Sequence, residues 1–215
     1  MLHKEAIEQN TLELLKTLQQ DDRLQDFLLV GGTSLALQIG HRKSDDLDFF
    51  TQQDFNMDQL LDHLERHYHF MLGYSSGNTL KGVIAGINLD FIAHKYPLAG
   101  KPVKTEGIRM LSIADIAAMK LNAIAGDGTR IKDFIDIYFI FKQYSLGQVL
   151  DFYAAKYTKR NQLHALKSLS WFDDIDETAW PRMILEHELN LTNIKTVIEQ
   201  HVKTFSSNLS GQPGL

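Results

Sequence analysis

The apolar run Phe27-Leu28-Leu29-Val30 stops at Gly31-Gly32, and a little further on the chain alternates as Asp46-Leu47-Asp48-Phe49-Phe50. Bulky apolar residues followed by paired glycines suit a buried strand running into a tight turn. On a second strand, period two puts Asp46 and Asp48 on one face and Leu47 and Phe49 on the other. A fold that accepts both segments buries one side of a sheet and leaves an acidic stripe on the other. Thr33 or Ser34 is placed to cap a short helix through Ile39.

Helical spacing of Ile7, Leu12, Leu14, Leu15 and Leu18 predicts an amphipathic helix over 5–20, and Met57, Leu60, Leu61 and Leu64 predict another over 56–70. Residues 69–94 read as β-strands broken at Gly73, Gly77-Asn78 and Gly86, the last strand pointing Asn88 and Asp90 to one side. After Pro97, Gly100 and Pro102 the pattern turns helical, with helices expected near 112–125, 132–143, 146–157, 160–169 and 182–204. Ser112 and Asp115 resemble a capping box. The expected class is α+β: a small mixed β-sheet core flanked by helices over 1–105, then an all-helical C-terminal lobe over 106–205 and a disordered tail over 206–215.

At 215 residues this is one domain or two lobes, long enough for a real core. The 22 basic and 27 acidic residues give a net charge of −5, so bulk electrostatics do not recommend a nucleic-acid binder. The absence of cysteine removes disulfides and thiol catalysis and points to a reducing, cytoplasmic home. No apolar run is long enough for a membrane span, and the first residues read as an amphipathic helix rather than an export signal.

Two carboxylates on one strand face, with a third on a nearby strand, make either a solvated polar face or a hard oxygen cage of the sort that holds Mg²⁺ together with substrate phosphates. Phosphoryl and nucleotidyl transfer need that charge to neutralise a triphosphate. Gly31-Gly32-Thr33-Ser34 offers backbone N–H groups to phosphate oxygens, and His41-Arg42-Lys43-Ser44 adds cations and a hydroxyl. In the helical half, Lys120 falls in the middle of an apolar face, with Asp115 and Asn122 nearly opposite; it either snorkels to the helix edge or reaches an anion in a cleft. Lys132, Asp133 and Asp136 share a polar strip on which Lys132 and Asp136 stand i,i+4. His63 and His67 have metal-ligand spacing within a solvated helix face. Residues 152–172 hold Lys156, Lys159, Arg160, His164 and Lys167 with Tyr153, Tyr157 and Trp171, the composition either of a solvated helix or of a surface for single-stranded RNA.

The stretch from Gly31 to Leu37, with Gly40-His41-Arg42-Lys43-Ser44-Asp45-Asp46-Leu47-Asp48-Phe49-Phe50, resembles the AbiEii/AbiGii-type nucleotidyltransferases. These are toxin components of abortive-infection toxin–antitoxin systems within the polymerase-β-like superfamily. The similarity runs over about residues 25–140. The resemblance implies metal-binding carboxylates at Asp46, Asp48 and Asp90, with Asp45 outside the cage, and a nucleotide-binding turn at Gly31, Gly32, Thr33 and Ser34 assisted by Arg42 and Ser44. It also implies a lysine at Lys120, phosphate contacts from Arg130 and Lys132, and Asp133 ordering the site. The activity implied is Mg²⁺- or Mn²⁺-dependent transfer of an NMP from an NTP to an acceptor hydroxyl, such as an RNA or tRNA end, with Asp90 drawing the proton and an antitoxin restraining the toxin. A protein acceptor, or a non-catalytic nucleotide-binding module, fits the same residues.

Overall fold

The computed structural model describes residues 1–210, with side chains through Asn208. They form two compact units: Met1–Pro97 with Lys101–Ser112, and Leu98–Gly100 with the chain from Ile113 onward. The break at Ser112–Ile113 compares with an expected soft boundary at 105.

The first unit carries a seven-stranded mixed sheet flanked by three helices. In chain order it has α1 (Gln9–Gln20), β1 (Leu28–Val30), α2 (Gly31–Ile39), β2 (Leu47–Thr51), α3 (Met57–Tyr68), β3 (Met71–Ser75), β4 (Thr79–Ile84), β5 (Ile87–Ala93), β6 (Val103–Thr105) and β7 (Ile108–Met110). The strand order is β3-β4-β5-β2-β1-β7-β6. The β1·β7 and β2·β5 pairs are parallel and the others antiparallel. Leu47 and Phe49 of β2 and Leu89 and Phe91 of β5 are buried in one core, where Phe49 and Phe91 stack with ring centroids 5.2 Å apart. The opposite face of the same strands carries Asp48 and Asp90, as the alternation requires.

Helix α1 begins at Gln9 rather than residue 5, because Lys4–Ala6 closes as a 3₁₀ turn that leads into extended backbone at Ile7. Helix α3 is capped by the Asn56 side chain, which accepts from the Gln59 amide, and ends at His69 in the left-handed region. The β6–β7 hairpin falls where a composition shift suggested the start of the helical half. Its turn, Glu106-Gly107, has positive φ at both positions, the geometry that twists a two-residue hairpin correctly.

The second unit is helical: α4 (Ile113–Gly126), α5 (Ile131–Ile140), α6 (Leu146–Lys156), α7 (Gln162–Ser168) and α8 (Leu191–Ser210). Ser145 and Gln148 form a reciprocal capping box on α6. Helix α8 starts nearer 191 than the expected 182. Glu186 sits at φ 51°, its carboxylate accepting from Tyr138 at 2.7 Å and from Lys142, and Asn190 and Asn193 bond each other's amides with their side chains. Burial and this bond push the Tyr138 phenol up to about 12. The helix continues through 206–210, part of the expected tail; the rest of that tail, 211–215, lies outside the described residues. Among the described residues, no helix is long and apolar enough to cross a membrane.

Candidate active site

Register assembles the acidic face. β2 and β5 are parallel with Asp48 opposite Asp90, so two carboxylates leave adjacent strands, whose backbones lie about 4.8 Å apart, on the same side of the sheet. Asp46 precedes β2 by one residue and lies level with Asn88, whose side-chain amide donates to Asp46 Oδ1 at 2.9 Å. Asp45 and Asp46 are exposed and Asp48 is half-buried.

The turn after β1 is shaped around Asp48. Gly31 adopts φ +69°, and a Cβ built there would lie 2.2 Å from Asp48 Oδ2. A Cβ on Gly32 would lie 2.4 Å from the Arg42 guanidinium and 3.4 Å from Ser44 Oγ. Both glycines therefore let charged side chains approach the start of α2, whose first turn has no side-chain cap. The helix begins at Gly31, earlier than a Thr33 or Ser34 cap would set it. Thr33 Oγ1 instead bonds within the loop, donating to the Asp46 carbonyl and lying 2.8 Å from the Ser44 hydroxyl, from which it can accept, while Ser34 is buried and accepts from Gln38 Nε2 at 3.2 Å. Thr33 thus fixes the backbone that presents Asp46, and any contact of Ser34 with a phosphate would come from its backbone amide.

The sequence reading missed Lys81. It sits on β4 directly opposite Asp90, and its ammonium is paired with Asp90 Oδ2. With Asp46 turned to Asn88 and Asp90 to Lys81, no three acids or histidines among the described residues are gathered closely enough to hold a metal ion. The chemistry of the donors, as distinct from their spacing in this arrangement, suits Mg²⁺ or Mn²⁺. The carboxylate oxygens are hard donors on one face, in register, with a glycine leaving space at Asp48.

In the helical unit, two carboxylates of α5 meet Lys120 of α4. Its Nζ lies 2.6 Å from Asp133 Oδ1 and 2.7 Å from Asp136 Oδ2, with Arg130 Nε 3.6 Å from Asp133 Oδ2. Side-chain exposure is 10% for Lys120, 1% for Asp133 and 0% for Asp136, so the lysine does not snorkel. Lys132 is exposed. The Lys132–Asp136 pairing that i,i+4 spacing offered is not the one made, since Asp136 meets Lys120 instead.

Other polar readings are corrected in the same way. Asp115, read as a helix-capping partner on a polar face, is fully buried. It accepts from the Ala99 and Gly100 amides at 2.9 and 3.0 Å and from Lys156 Nζ at 2.9 Å. Lys156, Tyr153 and Tyr157 are likewise buried, which removes them from an RNA-facing surface, whereas Trp171 is 56% exposed and donates to Asp174. His63 does not belong to a solvated face: its Nε2 donates to Asp21 Oδ2 at 2.6 Å, beside the Tyr68 hydroxyl at 2.7 Å. Interior polar pairs of this kind give no periodic signal, because their partners lie far off in sequence.

The profile of a family described as "Nucleotidyl transferase AbiEii toxin, Type IV TA system" matches residues 13–81 and 87–200. An uncharacterised protein of Aquifex aeolicus, aq_aa25, is 35% identical over 164 residues, covering 72% of this chain and 78% of that one. A crystal structure provisionally described as a nucleotidyltransferase from H. pylori superimposes with a TM-score of 0.55 at 17% identity, covering 97% of this chain and all of that one. JHP933 from Helicobacter pylori gives a TM-score of 0.47 at 16% identity over 95% and 98% of the two chains. The first of these structures is similar to this chain in fold.

Proposed function

The chain belongs to the AbiEii family of nucleotidyltransferase toxins, and from that premise we propose that it moves an NMP from an NTP to the hydroxyl of an RNA end, such as that of a tRNA, with Mg²⁺ or Mn²⁺. The observation that carries this reading is the in-register pairing of Asp48 with Asp90 on parallel strands, beside a glycine turn that leaves room for the Asp48 carboxylate.

Asp46, Asp48 and Asp90 would hold the cation. When bound, the cation neutralises the triphosphate and stabilises the attacking and leaving oxygens. The amides of Gly31 to Ser34 at the start of α2 receive phosphate oxygens, and the Arg42 guanidinium beside Gly32 adds positive charge there. Thr33 and Ser44 hold the loop that carries Asp46. The acceptor oxygen bonds to the α-phosphorus, the bond from that phosphorus to the bridging oxygen breaks, and pyrophosphate leaves. The hydroxyl proton passes to Asp90. The family points to an antitoxin that opposes the activity, and the cysteine-free composition fits a cytoplasmic setting.

The test incubates the protein with each α-labelled NTP, Mg²⁺ and cell extract, then digests with RNase or protease. RNase-sensitive label that Asp48→Ala reduces by more than roughly 10³-fold supports the reading, because that carboxylate acts on the charge of the reacting phosphates. Protease-sensitive label moves the acceptor to a protein, and unchanged labelling by Asp48→Ala overturns the assignment.

A further inference from the structure

The carboxylate opposite Asp48 is already engaged. Lys81 is the antiparallel partner of Asp90, so both side chains leave the sheet on the acidic face, and the Lys81 ammonium pairs with Asp90 Oδ2. Asp46, by contrast, is met by the neutral amide of Asn88. The Lys81 side chain is 46% exposed and that of Asp90 23%, so the lysine has open space into which to withdraw.

Three carboxylates on one face repel one another unless a positive charge lies among them. A divalent cation supplies more charge than an ammonium, and it needs the same Asp90 oxygens. We propose that Lys81 competes with the divalent cation for Asp90, and so sets how tightly the acidic row holds it. This rests on the reading of that row as a cation site. Lys81 is then a positioning residue: it keeps Asp90 compensated in the empty enzyme and swings toward solvent as the cation arrives. The pair is half-exposed, and such pairs contribute modestly, so the competition corresponds to about fivefold in affinity.

The experiment is calorimetric titration of the full chain with MnCl₂ in the absence of nucleotide. It compares the wild type with Lys81→Met, Lys81→Gln, Lys81→Arg, Asp90→Asn, Asp48→Asn and the double variant Lys81→Met/Asp90→Asn. Removing the charge with Met or Gln is expected to tighten Mn²⁺ binding about fivefold, whereas Arg, which retains it, leaves the affinity within about twofold of wild type. On the Asp90→Asn background the Met substitution is expected to change nothing. Equal or weaker binding by both uncharged variants overturns the inference, as does a gain that persists without the Asp90 carboxylate. Absent Mn²⁺ binding, or binding indifferent to both Asp48→Asn and Asp90→Asn, overturns the reading of the row itself and the role of Lys81 with it.

Discussion

Gly31 shows how a single atom decides where the Asp48 carboxylate can stand. Its φ of +69° disfavours any side chain, and a Cβ would lie 2.2 Å from Asp48 Oδ2. Gly31→Ala is therefore expected to displace that carboxylate and abolish nucleotide transfer, with a backbone cost of about 1–2 kcal/mol that lowers the melting temperature by only about 2–8 °C. Retained transfer activity would show that Asp48 does not need that position. The Gly-Gly pair was visible in the sequence. That it makes room for Asp48 and Arg42 was not, because both contacts cross a loop.

At the scale of elements, buried charges bind helix to helix within the second unit. Lys120 of α4 is held by Asp133 and Asp136 of α5 at 2.6 and 2.7 Å in an interior where neither acid reaches water. Lys120→Met removes the ammonium that those two buried acids share, which costs about 3–5 kcal/mol and lowers the melting temperature on the order of 10 °C. A melting curve superimposable on the wild type would deny the lysine this role. In the first unit, Asp21, at the end of α1, accepts from His63 and Tyr68 of α3. Burial pushes the Asp21 carboxyl up, but those bonds and the Arg23 amide outweigh it, and its pKa settles below the ordinary 3.8. A depressed carboxyl contributes stability that is complete above its unfolded value and is lost as the pH falls through the folded one. Asp21→Asn is thus expected to melt below wild type at pH 7 and to converge with it as the pH falls through the depressed pKa of the folded carboxyl. A gap that stays constant with pH would show that the bonds do not depend on the charge.

For the whole molecule, the net charge of −5 means that the proposed RNA acceptor would have to be met by local cations. Burial of Lys156 reduces the basic stretch to exposed positions such as Lys159 and Lys167. Lys159→Glu with Lys167→Glu is expected to raise KM for an RNA acceptor roughly tenfold at low salt and to flatten its salt dependence, with KM for the NTP unchanged. An unaltered RNA KM would assign the acceptor to another surface. The sequence by itself determined what period and turn chemistry encode: the order of most elements, the strand faces bearing Asp48 and Asp90, and the glycine break ahead of them. Local spacing specifies which way a side chain leaves its own strand or helix. Only the tertiary structure decided that Asp90 faces both Asp48 and Lys81, that Lys120 is met by Asp133 and Asp136, that Asp115 and Lys156 are interior, and that residues 103–110 form a hairpin joined to β1. Those facts depend on register and on burial from several sides, and both are fixed by partners distant along the chain.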